Sequence, residues 1–152
     1  MERERRRDQK DKGFIEGWME KVESICIDTD FLIDTLRGHQ ETVEKIRELE
    51  GVFHLSTTVI NGFELCYGSY KTERMEQNIL CVDKLLNRLS ILQMTGVASK
   101  LAGKILVDLE KKGEIIDFRD AIIASITITN DTKLFTRNIS HFNRIEGIKL
   151  YE

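Results

Sequence analysis

The sequence predicts a three-layer α/β/α sandwich with a mainly parallel sheet of about five strands. Short apolar runs rich in β-branched residues alternate with longer segments whose apolar residues recur at helical spacing. The chain of 152 residues contains no proline and no Ser/Gly-rich linker, so a single domain is expected. Strands that alternate with helices are joined by right-handed crossovers, which produce a parallel sheet covered by helices on both faces.

In the first half of the chain, the spacing of apolar residues distinguishes strands from helices. The run SICID is short and β-branched, whereas the segments after it carry apolar residues three or four positions apart. Gly38 is expected to end the first helix. The expected elements are a strand at 24–28, a helix at 31–36, a helix at 41–50, a strand at 52–56 and a helix that begins at Thr58.

The second half continues the alternation. Thr72 is expected to cap the next helix, and Gly113 is expected to end a helix over 97–112. The segment 117–129 is harder to assign because its isoleucines also favour a strand. Its length, its alanines and the acids near its start favour a helix. The remaining expected elements are strands at 91–94, 133–136 and 148–151 and a short helix at 141–145.

The charge of the chain limits its contacts with partners, and the distribution of charged residues sets the domain boundary. With a formal net charge of -3, the chain has no global basic field, so any contact with RNA must be local. Basic and acidic residues are interleaved near the start, which is typical of a solvated tail. Residues 1–23 are therefore assigned to a charged N-terminal extension and 24–152 to the folded domain. Met19 is an alternative start that would remove most of this tail.

The chain is expected to be a cytoplasmic protein without a membrane segment. No stretch approaches the roughly 20 apolar residues that cross a bilayer, and the N-terminus lacks the apolar core of a secretion signal. The cysteines are odd in number and do not have metal-ligand spacing. Cys26, Cys66 and Cys81 are all expected to be buried thiols.

Acidic residues supply the candidates for chemistry, since ligands of such sheets bind beyond the carboxyl ends of the strands. Asp28 closes an apolar run at a strand end, whereas Asp30 is expected to cap the following helix. Glu64 lies beside an apolar stripe, where an unpaired carboxylate is costly unless it reaches water at the rim. Asp117 and Asp120 share a helix face, and taken alone they are explained as first-turn acids.

Three parts of the sequence carry a resemblance to a known family. They are a strand with an acid and a helix, a hydroxyl-rich turn before a helix with Glu-Leu, and an Asp-x-x-Ile-Ala helix with a Thr-Arg-Asn turn. Their sequences are ICIDTDFLIDTLRG (25–38), STTVINGFELCYG (56–68), and DFRDAIIAS (117–125) with KLFTRNISHF (133–142). Together they resemble the PIN-domain ribonucleases, and most closely the VapC-type toxins of toxin–antitoxin pairs. The resemblance makes 24–152 a PIN-like nuclease domain.

The resemblance implies that Asp28, Glu64 and Asp120 bind the metal. Asn138 falls where many relatives carry a fourth acid and others an asparagine, so it is a candidate catalytic residue whose role as a direct ligand is open. The same resemblance places further residues near the metal, namely Asp117 as an outer ligand or water-holder and Thr29 or Thr136 as a hydroxyl.

These residue types suit metal-dependent hydrolysis of RNA. Carboxylates without histidine or cysteine favour Mg²⁺ or Mn²⁺, and such an ion lowers the pKa of a bound water. The resemblance also implies a homodimer silenced by an antitoxin peptide in a hydrophobic groove. Two helical stripes are candidate surfaces for these partners, although core packing explains them equally well: Val43, Ile46 and Leu49, and Met75, Ile79 and Val82.

Two other functions compete with this one. Asp28-Thr29-Asp30 after a strand also resembles the start of a haloacid-dehalogenase-type phosphatase, but Lys133 precedes a strand instead of ending one and no acidic pair follows it. The other alternative is a catalytically silent PIN-like binding module whose acids are structural. A partly buried Glu64 without a cation makes that alternative less favourable.

Overall fold

The computed structural model describes residues 22–152, so most of the proposed N-terminal extension lies outside the described residues. Strands and helices alternate as expected. In chain order the elements are β1 (Ser24–Ile27), α1 (Thr29–Leu36), α2 (Gln40–Glu50), β2 (His54–Thr58), α3 (Val59–Tyr70), α4 (Met75–Leu86), β3 (Ser90–Leu92), α5 (Gly96–Lys111), α6 (Phe118–Thr129), β4 (Lys133–Phe135) and α7 (Ile139–Phe142).

The sheet is parallel throughout, with the strand order β3-β2-β1-β4. Cys26 at the centre of β1 pairs with Ser56 of β2 on one side and with Leu134 of β4 on the other. The chain winds outward from β1 through β2 to β3 and then returns to place β4 beside β1. The winding direction therefore reverses at β1 and β4, and ligands of open α/β sheets bind at such a reversal.

Helices cover both faces of the sheet, which confirms the three-layer architecture. Successive side chains of a strand point to opposite faces, and Cys26 packs in one apolar cluster while Ile25 and Ile27 pack in the other. The first cluster includes residues of α5 and α6, and the second includes residues of α1, α2, α3 and α4.

The expectation of about five strands is wrong by one, since residues 22–152 form four. The segment expected as a fifth strand makes a single parallel bridge, between Leu134 and Leu150. β4 is only three residues long and offers little edge for further pairing. Beyond the bridge, the Tyr151 ring packs edge-on against Phe53 and Phe135, with centroid distances of 5.7 and 5.6 Å.

Several local expectations are confirmed, and one helix cap is wrong. Segment 117–129 is helical from Phe118 onward, and Gly113 follows α5 with a positive φ of 71°. Thr72 does not cap α4, which begins at Met75 without a side-chain cap. The Thr72 hydroxyl instead donates to the carbonyl of Ser69 at 2.7 Å, near the end of α3.

Burial bears on one open alternative and corrects one expectation. In the two stripes considered as partner surfaces, Ile46, Leu49 and Val82 lie in the core, whereas Val43 and Ile79 are half-buried and Met75 is exposed. Cys26 is buried and Cys66 is half-buried, whereas Cys81 is exposed, contrary to its expected burial. Within residues 22–152, no helix has the length and apolar character needed to cross a membrane.

Candidate active site

Asp28 lies where β1 ends, and its carboxylate is held by three donors. Its Oδ1 accepts from the Thr29 backbone N–H and from Asn61 Nδ2, both at 2.9 Å, and its Oδ2 accepts from Thr136 Oγ1 at 2.5 Å. The residue is only 8% exposed. Asp28 is also the N-cap of α1, so the assignment of that cap to Asp30 is wrong.

Glu64 lies on α3 and faces the same end of the sheet. Its Oε1 accepts from Thr29 Oγ1 at 3.1 Å, and its Oε2 lies 4.0 Å from Arg119 Nη1. The side chain is 26% exposed. Glu64 is therefore partly desolvated, with a hydroxyl donor and a distant guanidinium as compensation.

Asn61 connects these two acids and was not among the candidates from sequence. It is fully buried, and its Nδ2 donates to Asp28 Oδ1 and to Thr29 Oγ1, both at 2.9 Å. Its Oδ1 accepts from the Thr58 backbone N–H at 3.2 Å and from Thr58 Oγ1 at 2.6 Å. Thr-x-x-Asn at a helix start has the spacing of a capping box, and that spacing was the signal available in the sequence.

Asp117 and Asp120 have different environments despite their shared helix face. Asp117 is the N-cap of α6, and its carboxylate accepts from Arg119 Nε at 2.9 Å. The Arg119 guanidinium holds the pKa of Asp117 below its usual range. Asp120 is 24% exposed, and its Oδ2 lies 3.8 Å from His141 Nδ1.

Asn138 contacts the neighbours of the acids. Its backbone N–H donates to Thr136 Oγ1 at 3.0 Å, and its Nδ2 lies 2.8 Å from His141 Nδ1. Thr136 in turn binds Asp28, and His141 lies beside Asp120. Asn138 is thus linked to both acids through intermediate side chains, and a direct role as ligand stays a prediction.

Burial and neighbouring charges disfavour the ionised forms of the three principal acids. Burial is the main cause that raises the pKa of Asp28, of Glu64 and of Asp120 above the usual carboxyl values. The charge of Asp28 raises the pKa of the other two further, and the charge of Asp120 raises that of Glu64. Such a group of carboxylates gains from a nearby cation.

The donor set fits a hard divalent cation, although the side chains do not form a closed cage. Among residues 22–152, no three Asp, Glu, His or Cys side chains are arranged as a ready metal site. Both oxygens of Asp28 already accept hydrogen bonds, and repulsion between carboxylates opposes their closer approach. Oxygen ligands of this kind suit Mg²⁺ or Mn²⁺, which keeps several waters.

A parallel sheet with acids at the carboxyl end of its central strand defines an α/β protein with a candidate hydrolytic site. The family model of the PIN domain matches residues 25–148, so the chain belongs to the PIN-domain family. Ribonuclease VapC2 of Rickettsia felis is 32% identical over 127 residues, which cover 82% of this chain and 93% of that protein. The tRNA(fMet)-specific endonuclease VapC of Salmonella typhimurium is 27% identical, covering 83% and 95%.

A solved structure agrees with this assignment. The crystal structure of VapBC2 from Rickettsia felis bound to a promoter DNA fragment matches with a TM-score of 0.78 and 29% identity, covering 84% of this chain and 97% of that one. The resemblance to VapC-type ribonucleases and the fold class are therefore confirmed. Membership of the PIN-domain family replaces the phosphatase alternative.

Proposed function

We propose that this chain is a metal-dependent endoribonuclease that acts as the toxin of a toxin–antitoxin pair. The observation that carries the proposal is the buried Asp28 at the end of β1, whose charge raises the pKa of both Glu64 and Asp120. A group of mutually repelling acids is expensive to maintain without a cation. The relatives named as VapC ribonucleases support the same activity.

In this proposal Asp28, Glu64 and Asp120 hold Mg²⁺ or Mn²⁺. The ion, when bound, offsets the negative charge and activates water for attack on an RNA phosphodiester. Asn61 and Thr136 orient the Asp28 carboxylate, and Thr29 orients that of Glu64. Hydrolysis would form a bond from water oxygen to phosphorus and break a phosphorus–oxygen bond of the RNA chain. The water would give its proton to one of the acids, and the departing oxygen would take a proton from solvent.

The direct experiment is cleavage of RNA by the purified chain with Mg²⁺, Mn²⁺ or EDTA. The substrates are a total RNA pool and initiator tRNA, the latter because the Salmonella typhimurium relative is named for tRNA(fMet). We expect new RNA ends with either ion and none with EDTA, and end sequencing would locate the cut. Stabilisation by Mn²⁺ without cleavage of any RNA would favour the silent binding module.

An antitoxin partner is also proposed, since structural relatives are VapBC complexes. A groove of about 280 Å³ runs between α1, α3 and α4 and reaches Glu64, with Leu36, Leu65 and Val82 in its wall. Its apolar wall suits the apolar face of an antitoxin segment. Of the residues in the two helical stripes, Val82 lines this groove.

The groove can be tested with a glycine that lines it. Gly68 lines the groove and a Cβ there would meet no atom within 4 Å, so Gly68→Phe places a bulky side chain at the groove without a clash at its Cβ. We expect this variant to lose co-purification with the antitoxin while it keeps RNA cleavage. Gly103→Phe on α5 has the same open surroundings and is the matched control. The expected homodimer stays a prediction, which analytical ultracentrifugation tests.

A further inference from the structure

Arg137 lies in the turn after β4, between two residues that contact the site. Its Nη2 lies 2.5 Å from Asp34 Oδ2 on α1 and donates to Thr42 Oγ1 on α2 at 3.4 Å. Its guanidinium carbon lies 4.4 Å from the centroid of the Phe31 ring. The side chain is therefore bound on three sides by the two helices that follow β1.

An aromatic stack continues this contact into the sheet. The rings of Phe31 and Phe135 are 3.9 Å apart and nearly parallel, at 9°. Phe135 is the last residue of β4, so the stack runs from the strand end through α1 to the guanidinium of Arg137. Arg is suited to such a place because its planar group can stack and form directed hydrogen bonds at once.

The residue before Arg137, Thr136, contacts Asp28 instead. Thr136 Oγ1 donates to Asp28 Oδ2 at 2.5 Å and accepts from the Asn138 backbone N–H at 3.0 Å. Because Asp28 caps the first turn of α1, the same helix is held by Thr136 at its start and by Arg137 further along. A shift of the turn relative to α1 would move the Thr136 hydroxyl off the carboxylate.

We propose that Arg137 is a positioning residue that ties the 136–138 turn to α1 and thereby holds Thr136 on Asp28. The proposal rests on the proposed function, because it assigns Asp28 a role that needs this orientation. A direct contact with RNA phosphate is the competing role for a half-exposed arginine. The ion pair with Asp34 opposes that role, since it already offsets the positive charge and lowers the pKa of Asp34.

The test compares Arg137→Ala and Arg137→Lys with a matched control, Arg88→Ala. Arg88 forms an ion pair of similar length and exposure with Glu50, at 2.6 Å, and is not paired with Asp28, Glu64 or Asp120. Three quantities are measured for each protein: Mn²⁺ affinity by calorimetry without RNA, the free energy of unfolding in urea, and kcat and KM for RNA cleavage.

We expect Arg137→Ala to weaken Mn²⁺ binding by about tenfold, the lower end of the range for residues that orient metal ligands. Its kcat should fall while KM for RNA changes little. Arg137→Lys should recover part of both losses, because lysine keeps the charge but cannot stack on Phe31. Arg88→Ala should leave Mn²⁺ affinity and kcat unchanged. It should lower the free energy of unfolding only slightly, as expected for the loss of an exposed ion pair.

Two results would overturn the proposal. One is an Arg137→Ala protein that folds and has the Mn²⁺ affinity and kcat of the wild type. The other is a rise in KM alone that depends on salt, because that result assigns Arg137 to RNA phosphate.

Should Arg137→Ala fail to fold, Asp34→Asn removes the same ion pair with less change of volume and is held to the same expectations. A wild type that neither binds Mn²⁺ nor cleaves RNA defeats the proposed function itself, whereas an active wild type matched by the variant defeats only the positioning role.

Discussion

Asp28 performs two tasks with one carboxylate, because it caps α1 and occupies the switch point of the sheet. Its hydrogen bonds from Thr29, Asn61 and Thr136 lower the pKa of its carboxyl group, but burial outweighs them and the net shift is upward. A cap on an ordinary helix does not need this burial. A cation would offset the free-energy cost of burying the ionised Asp28 carboxylate. Asp117, by contrast, is an exposed cap paired with Arg119.

The first prediction concerns the acids themselves. Asp28→Asn, Glu64→Gln and Asp120→Asn should each reduce RNA cleavage by about a hundredfold or more, because each removes a charge that the transition state requires. Asp108→Asn is the matched control, since Asp108 is exposed on α5 and pairs with Lys104. Retention of full activity by any of the three folded variants would remove that residue from the site.

The second prediction concerns pH and the metal-free protein. A carboxyl whose pKa is raised by folding destabilises the protein when ionised, so its cost is present above the folded pKa and disappears as pH falls toward the unfolded value, about 3.9 for Asp. Asp120→Asn should therefore raise the free energy of unfolding at pH 7 in EDTA. The gain should shrink as pH falls through the folded pKa of Asp120. Urea titrations at several pH values measure it, and a variant less stable than wild type at pH 7 would contradict the shift.

The resemblance to a known family selected Asp28, Glu64 and Asp120 as metal-binding candidates, and that role stays a prediction. The apolar context of Asp28 and Glu64 favoured them, whereas Asp120 taken alone is explained as a first-turn acid. Asn61 was missed because a buried amide has no such contrast with its neighbours, and its partners come from β1 and β2 after folding. Asp30 was assigned the cap that Asp28 holds, since the choice between them depends on where α1 begins.

At the scale of elements, α3 depends on the same amide that orients Asp28. Thr58 and Asn61 form a reciprocal capping box at the start of the helix that carries Glu64. The stability of α3 and the geometry of the site are therefore coupled through one residue.

The third prediction separates this coupling from ordinary capping. Asn61→Ala should lower the free energy of unfolding by about 2–3 kcal/mol, because it leaves the buried groups of Thr58 without an acceptor. It should also weaken Mn²⁺ binding and cleavage. Thr95→Ala on α5 removes a simple cap, in which Thr95 Oγ1 accepts from the Ala98 N–H at 3.2 Å. That control should cost about 1 kcal/mol and leave activity intact. Equal effects of both variants on activity would contradict the coupling.

Most strands and helices were predictable from the sequence, whereas the last strand and one helix cap were not. Helix α2 follows from its apolar spacing, α5 from the glycine beyond its end, and α6 from its length, its alanines and the acids near its start. The supposed fifth strand has the right composition, yet only one of its residues pairs with β4. Thr72 has the right side chain for a cap, but the chain makes another turn before α4 begins at Met75. Pairing and turn geometry depend on the neighbouring elements, which local composition does not specify.

At the scale of the whole molecule, a chain with a net charge of -3 is proposed to act on a polyanion. Because its formal net charge is negative, the chain has no long-range positive field. Attraction of RNA must therefore come from the local site and from a bound cation. The fold class follows from the spacing of apolar residues along the chain, whereas the identity of the RNA substrate does not follow from the sequence. Acids and a cation recognise phosphate, which every RNA presents.

The fourth prediction follows from linkage between the ion and folding. Mn²⁺ should raise the Tm of the wild-type chain with increasing concentration, and EDTA should reverse the shift. The Asp28→Asn protein should show little shift, because the ion loses its central ligand. Thermal unfolding followed by circular dichroism measures both, and an equal shift in wild type and variant would indicate an ion bound elsewhere.

Anomalous diffraction from crystals grown with Mn²⁺ would locate a divalent cation shared by Asp28, Glu64 and Asp120. We expect an anomalous peak bounded by these three carboxylates that is absent from crystals of Asp28→Asn. A protein that cleaves RNA with Mn²⁺ but shows no peak there, or shows one only at other residues, would contradict it.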